Sequence, residues 1–179
     1  MPHGSRRVLG VDPGTAVTGY GVVEYDGHTA VLRECGVIRT NAKESLPARL
    51  QHIFVGITEL IERHAPDTVA VEDVFYARNV RTTIVLGHAR GVILLAAQQA
   101  ALTICEYAPA EIKKTVAGTG AATKEQVQFM VAKLLRLKTA PQPSDAADGV
   151  AAALTACLAP PTIALHTQRI PASHARTKP

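Results

Sequence analysis

The sequence predicts an α/β fold, a five-stranded mixed sheet with helices on both faces. Three observations carry this expectation. Residues 8–39 contain three β-rich runs separated by turn signals. At Leu46 the apolar spacing changes to a helical period. From there strand-like and helix-like stretches alternate as far as Leu158. A chain of 179 residues suits one domain around one core.

Val8-Leu9-Gly10-Val11 is a short apolar run that ends at Asp12-Pro13-Gly14, a strand entering a turn. Thr18 to Tyr25 is β-rich, and Asp26-Gly27 is a hairpin signal leading to a third strand over Ala30–Arg39. Tight turns between these strands imply an antiparallel meander. Leu46, Leu50, Ile53, Ile57, Leu60 and Ile61 then recur at helical spacing behind Ser45 and Pro47. Asp67–Glu72 is mostly apolar and reads as a central strand. Thr82–Ala100 reads as a helix, apolar almost all round in its second half and therefore expected to be buried. Leu102–Tyr107 is a fifth strand, and Pro109–Ala117 is a short helix ended by Gly118-Thr119-Gly120. Thr123-Lys124-Glu125-Gln126 is a capping box opening a helix to about Leu137. Thr139–Pro143 is a stiff linker, Ser144 is expected to cap a last helix to Leu158, and Pro160-Pro161 stops it.

The chain is 47% hydrophobic and 19% charged, the balance of a packed globular protein. Its net charge is +4, and residues 160–179 hold Arg169, Arg176 and Lys178 and no acid. Two regions follow: residues 1–158 fold, and residues 159–179 form a basic, flexible tail. The charge permits a polyanionic partner without demanding one. Cys35, Cys105 and Cys157 lie apart in apolar stretches and read as small core residues of a cytoplasmic protein in a reducing compartment. No membrane span is expected, because the best apolar run is Gly91–Ala97. Arg6-Arg7 is followed too soon by Asp12-Pro13-Gly14 to open an export signal. His3, His28, His52, His64, His166 and His174 lack ligand spacing and are expected at the surface.

Four acids stand in unusual places. Asp12 ends the first strand and Glu72 the fourth. Asp145 and Asp148 lie three apart in the first turn of the last helix, a spacing that puts both on one face. The helix between the first and fourth strands is a crossover, so these strands can be parallel neighbours with Asp12 and Glu72 side by side. If the last helix crosses that edge, four carboxylates meet in one crevice. Such a cluster repels itself unless cations fill it, and hard oxygen ligands suit Mg²⁺ or Mn²⁺. Taken singly, each acid is also explained as a turn, a strand end or a helix N-terminus.

The stretch Val8-Leu9-Gly10-Val11-Asp12-Pro13-Gly14-Thr15, followed by Thr18-Gly19-Tyr20-Gly21-Val22, resembles the opening of the RuvC Holliday-junction resolvases. The resemblance continues through Val71–Phe75, Leu86–Gly91, Lys113–Gly118 and Asp145–Asp148, in order over residues 7–158. It implies a ribonuclease H-like fold, a homodimer and metal-dependent, structure-selective cleavage of four-way DNA junctions. The family's catalytic carboxylates correspond to Asp12, Glu72, Asp145 and Asp148, holding two Mg²⁺, with Mn²⁺ as the alternative. Partnership with a branch-migration motor is also implied. The tail after Leu158 matches no motif.

Two segments are candidate DNA contacts. Phe75-Tyr76-Ala77-Arg78-Asn79-Val80-Arg81 joins aromatic to basic residues, with Phe75, Tyr76, Arg78 and Arg81 as the contacts. Aromatics can stack on unpaired bases, and the family carries a base-stacking Phe at the position of Phe75. Residues 109–143 hold Lys113, Lys114, Lys124, Lys133, Arg136 and Lys138 against Glu111 and Glu125. Lys113 and Lys124 match family positions that grip phosphates, and Lys114 is an additional cation; Lys133 and Arg136 read as a solvated helix face. Gly87 and Gly91 permit close helix approach, either inside the fold or between two copies. Two other functions remain open: a non-catalytic junction-binding protein, and a phosphotransferase of the actin and sugar-kinase type. The second needs a further domain that this chain is too short to supply.

Overall fold

The computed structural model describes residues 5–73, 80–159 and 164–165. Its strands are β1 (Arg6–Asp12), β2 (Val17–Tyr25), β3 (Ala30–Arg39), β4 (Thr68–Glu72), β5 (Thr103–Tyr107) and the two-residue β6 (Ala164–Leu165). Its helices are α1 (Leu46–His64), α2 (Val80–Gln99), α3 (Pro109–Ala117), α4 (Lys124–Leu134) and α5 (Ser144–Leu158). The sheet order is β3-β2-β1-β4-β5-β6. β1, β2 and β3 pair antiparallel, whereas β1, β4 and β5 run parallel. This is the expected mixed sheet, extended by β6, which comes from the segment expected to be a tail and pairs antiparallel with β5.

Strand alternation sorts the residues onto two faces. Leu9, Val11, Val22, Val69, Val71 and Ile104 point to one side, where Ile53, Ile57 and Leu60 of α1 and Ala89, Ile93 and Ala97 of α2 complete a core. Val8, Val23, Ala70, Cys105 and Tyr107 point to the other, against α3, α4 and α5. Asp12 and Glu72 continue this second alternation, so both carboxylates leave the sheet on the α5 side.

Helix α5 lies directly on strand backbone. A Cβ on Gly19 would stand 1.8 Å from the carbonyl oxygen of Asp145, and one on Gly149 would stand 2.5 Å from Cα of Tyr20. Only the missing side chains allow this approach. The helix face is correspondingly small, with Ala146, Ala147, Ala151, Ala152, Ala153 and Ala156 all buried. The far end of α5 is fixed by Arg6, whose guanidinium donates to the carbonyls of Ala156 (3.1 Å) and Cys157 (2.7 Å). These are helix-terminal acceptors that a cation suits.

Several expectations need correction. Ser144 does not cap α5; it is the first helical residue and Pro143 occupies the cap. Helix α4 has the expected capping box of Thr123 and Gln126 but stops at Leu134 rather than Leu137. There Leu137 N–H donates to Ala132 C=O at 2.8 Å and Arg136 takes a left-handed φ of 54°, a terminating turn that buries Leu135. Helix α2 is not buried all round. It is long and apolar enough by composition to cross a membrane, yet it lies on the sheet, with Val80 (72%), Ile84 (55%) and Leu95 (49%) exposed. His64 is not a free surface residue: its Nε2 sits 2.8 Å from Glu34, which also accepts from Tyr20 Oη and Arg63.

The seam makes a prediction about Gly149. Alanine is favoured over glycine in a helix by ~1 kcal/mol. Gly149→Ala should nevertheless lower the unfolding free energy in urea by ~1–3 kcal/mol, the scale of an overpacked core. Equal or greater stability would mean that α5 is not seated on the strand backbone.

Candidate active site

Asp12 is the last residue of β1 and Glu72 the last of β4. The β1–β4 register ends one pair earlier, at Val11 and Val71, which puts the two carboxylates at neighbouring strand ends. Beside Asp12, buried Thr18 donates its hydroxyl to Gly14 C=O at 2.6 Å and closes the β1–β2 turn. Helix α5 brings Asp148 to the same place. Asp12, Glu72 and Asp148 line one cavity of about 260 Å³, together with Lys113, Lys124 and an apolar wall that includes Ile112, Val127 and Ala151.

Asp145 is the exception among the four expected acids. It does not line the cavity, though its charge bears on Asp12. Its backbone carbonyl lies against Gly19 in the first turn of the helix, and its charge bears on Lys124 as well.

The electrostatics of the cavity are those of an incomplete site. Burial first, then the charges of Glu72, Asp148 and Asp145, push Asp12 from 3.8 to about 8. Burial and then Asp148 push Glu72 from 4.5 to about 7, against the opposing pull of Lys113 and Lys124. Lys124, the first residue of α4, places its Nζ 2.6 Å from Oδ2 of Asp148 and is itself raised by that bond. Among the described residues no three acidic, histidine or cysteine side chains close around a common point as metal ligands would. Two facts therefore pull apart: the donor set is right for a hard cation, but its oxygens are not drawn together. The ammonium group of Lys124 occupies Asp148 as a cation would.

The remaining expected contacts divide. Lys113 and Lys124 are at the cavity, whereas Lys114 is exposed on α3 and not part of its lining. Arg81 lies in the first turn of α2 and is exposed. Phe75, Tyr76 and Arg78 lie outside the described residues. Lys133 fits the solvated-face reading and sits 5.4 Å from the ring of exposed Phe129. Among the described residues, Gly87 and Gly91 have no neighbour within 4 Å of an added Cβ, so packing against those residues does not explain them. Sequence reading missed the apolar wall from Ile112, Val127 and Ala151, whose only signal is helical spacing.

The raised carboxylates have a consequence for stability. In the unfolded chain Asp12 and Glu72 lose their protons near 3.8 and 4.5; in the fold they keep them to about 8 and about 7. The native state holds more protons across that window, so stability falls as pH rises through it. In EDTA, the melting temperature should therefore decline from about pH 5 to about pH 8, and Asp12→Asn should flatten the decline. A melting temperature that rises over this range would contradict the buried, protonated pair.

Comparison with known proteins gives a consistent result. The family model described as crossover junction endodeoxyribonuclease RuvC matches residues 8–156. The RuvC of Halorhodospira halophila is 52% identical over 148 residues, covering 83% of this chain and 87% of that protein. The RuvC of Pelotomaculum thermopropionicum is 48% identical over 147 residues, 82% of this chain and 90% of that one. The structure of Thermus thermophilus RuvC in complex with a Holliday junction substrate superposes with a TM-score of 0.81 at 37% identity, covering 86% of this chain and 93% of that one. The ribonuclease H-like sheet thus has a close counterpart, and this chain belongs to the RuvC family of crossover junction endodeoxyribonucleases.

Proposed function

We propose that this protein is an endonuclease that resolves Holliday junctions during DNA recombination and repair in the cytoplasm. The observation that carries the reading is the meeting of Asp12, Glu72 and Asp148 with Lys113 and Lys124 in one cavity. The reaction is hydrolysis of a phosphodiester. A water oxygen bonds to phosphorus as the bond to the 3′ oxygen breaks, leaving 5′-phosphate and 3′-hydroxyl ends. Asp12, Glu72 and Asp148, with Asp145 at the margin, would hold two Mg²⁺ or Mn²⁺ ions. When bound, such ions supply an activated water and charge stabilisation at the departing oxygen.

The chain's own groups do the rest. The ammonium groups of Lys113 and Lys124 bind the phosphate oxygens beside the carboxylates, Lys124 exchanging Asp148 for phosphate. Its side chain is 48% exposed, which leaves it free to swing. Ile112, Val127 and Ala151 exclude water from one side of the cavity and so strengthen every charge interaction within it. Phe75, Tyr76, Arg78 and Arg81 follow Glu72 in the chain and would meet the unpaired centre of the junction, with Lys114 as a peripheral phosphate contact.

Paired symmetric nicks require two active sites. Helix α2 supports a homodimer: Val80, Ile84, Gly87, Gly91 and Leu95 fall on one helix face, and all are exposed. A branch-migration motor as further partner rests on family membership alone. A purely junction-binding protein would have no use for three half-buried carboxylates gathered in one cavity.

The reading is tested on a synthetic four-way junction beside a matched linear duplex, with Mg²⁺ and with EDTA. Cleavage should require metal and the junction. Asp12→Asn, Glu72→Gln or Asp148→Asn should each lower the rate by ~100-fold or more, the scale of removing one charge-stabilising group, while sparing metal-free junction binding. Near-normal cleavage by any two of them would contradict the site. For the dimer, Ile84→Glu should give a monomer in sedimentation that nicks one strand without pairing the cuts. A parent protein that sediments as a monomer would remove this part of the proposal.

A further inference from the structure

A second charged cluster lies on the sheet face opposite the carboxylate cavity, and the proposed chemistry does not use it. Arg90, on the inner side of α2, reaches the edge where β4 and β5 end. Its Nη2 donates to Glu106 of β5 and lies 3.4 Å from Oδ1 of Asp73, the residue after Glu72. Among the described residues the Nε of Arg90 is buried with no acceptor.

The location gives the cluster its meaning. Successive residues of a strand point to opposite faces, so Glu72 faces the cavity while Asp73 faces α2. Glu72 pairs with Tyr107 on β5 but has no partner on β1, where the ladder ends at Val11 and Val71. At Asp73, the next described residue, the backbone N–H donates to Tyr107 C=O at 2.8 Å. Glu72 is thus a strand-terminal residue, paired on one side only and pushed by the neighbouring charge of Asp148. An end of this kind frays unless something holds it.

We propose that Arg90 is a positioning residue for Glu72. By binding Asp73 and Glu106 together behind the sheet, it locks the ends of β4 and β5 to each other and to α2. The carboxylate of Glu72 is then presented to the cavity at a fixed depth. Arg90 touches neither substrate nor reacting atoms. The inference rests on the nuclease reading of the cavity and adds the element that holds one of its carboxylates.

The test compares the parent with Arg90→Gln, Arg90→Lys and Asp73→Asn. Three quantities are read: single-turnover junction cleavage at saturating protein, junction Kd without metal, and Mg²⁺ affinity without DNA. Arg90→Gln should cleave ~10–100-fold more slowly, the scale of a misplaced active-site group. Its junction Kd should be unchanged and its Mg²⁺ affinity should weaken ~10-fold, as for loss of a ligand-orienting group. Arg90→Lys should recover part of the rate. Asp73→Asn keeps the Arg90–Glu106 pair and should fall in the same direction, so it decides the matter if Arg90→Gln does not fold. Parent-like cleavage in Arg90→Gln or Asp73→Asn, or a loss that only tracks weaker junction binding, overturns the proposal. A parent that does not cut junctions overturns the nuclease reading instead; the Mg²⁺ affinities then decide the role of Arg90, with equal values refuting it.

Discussion

The contact on which the site depends is the one between α5 and the bare backbone of β1 and β2. Gly19 leaves room for the carbonyl of Asp145, and Gly149 leaves room for Tyr20. An ordinary helix rests on a sheet through two layers of side chains. Here much of that thickness is missing, and the first turn of α5 sits level with the strand end that carries Asp12. Arg6 then holds the other end of the helix by its last carbonyls. A helix fixed at both ends has little freedom to tilt, so Asp148 arrives at the strand ends without a flexible loop.

Bringing carboxylates together in this way is costly, and the surrounding residues show how the cost is carried. Burial and mutual repulsion hold Asp12 and Glu72 toward their protonated forms. Lys124 sits on Asp148 and offsets part of the repulsion. On the opposite face, Arg90 gathers Asp73 and Glu106. The sheet edge therefore has a charged cluster on each side, two carboxylates sharing one arginine behind and three carboxylates with two lysines in front. The cavity in front gathers carboxylate oxygens beside two lysines, which makes it the place for added cations and a phosphodiester.

Much of this is legible in the sequence. The strand ends at Asp12 and Glu72 are marked by apolar runs that stop at an acid, and the crossover helix between them dictates parallel pairing. The capping box at Thr123 is a local motif and forms as read. What escapes is set by tertiary contact. The apolar composition of α2 reads as burial, but one of its faces is exposed among the described residues. The three-residue spacing of Asp145 and Asp148 suggests equal roles, yet close seating on Gly19 leaves only Asp148 in the cavity lining. Arg90 falls in a stretch that carries the resemblance, but its role is not legible there, because its partners Asp73 and Glu106 lie far off in the sequence. The glycines of β1 and β2 are visible in the sequence; their purpose is visible only once α5 is laid across them.

The central claim is that this cavity stores protons on carboxylates that are waiting for a cation. Calorimetric titration of the metal-free protein with Mn²⁺ tests it directly, in two buffers of different ionisation enthalpy at about pH 7. The buffer dependence of the heat gives the number of protons released. With Asp12 near 8 and Glu72 near 7, binding should expel roughly one proton or more per site, a release that fades above about pH 9 and shrinks in Asp12→Asn. Saturable binding with the same heat in both buffers at neutral pH, or no saturable binding at all, would contradict it.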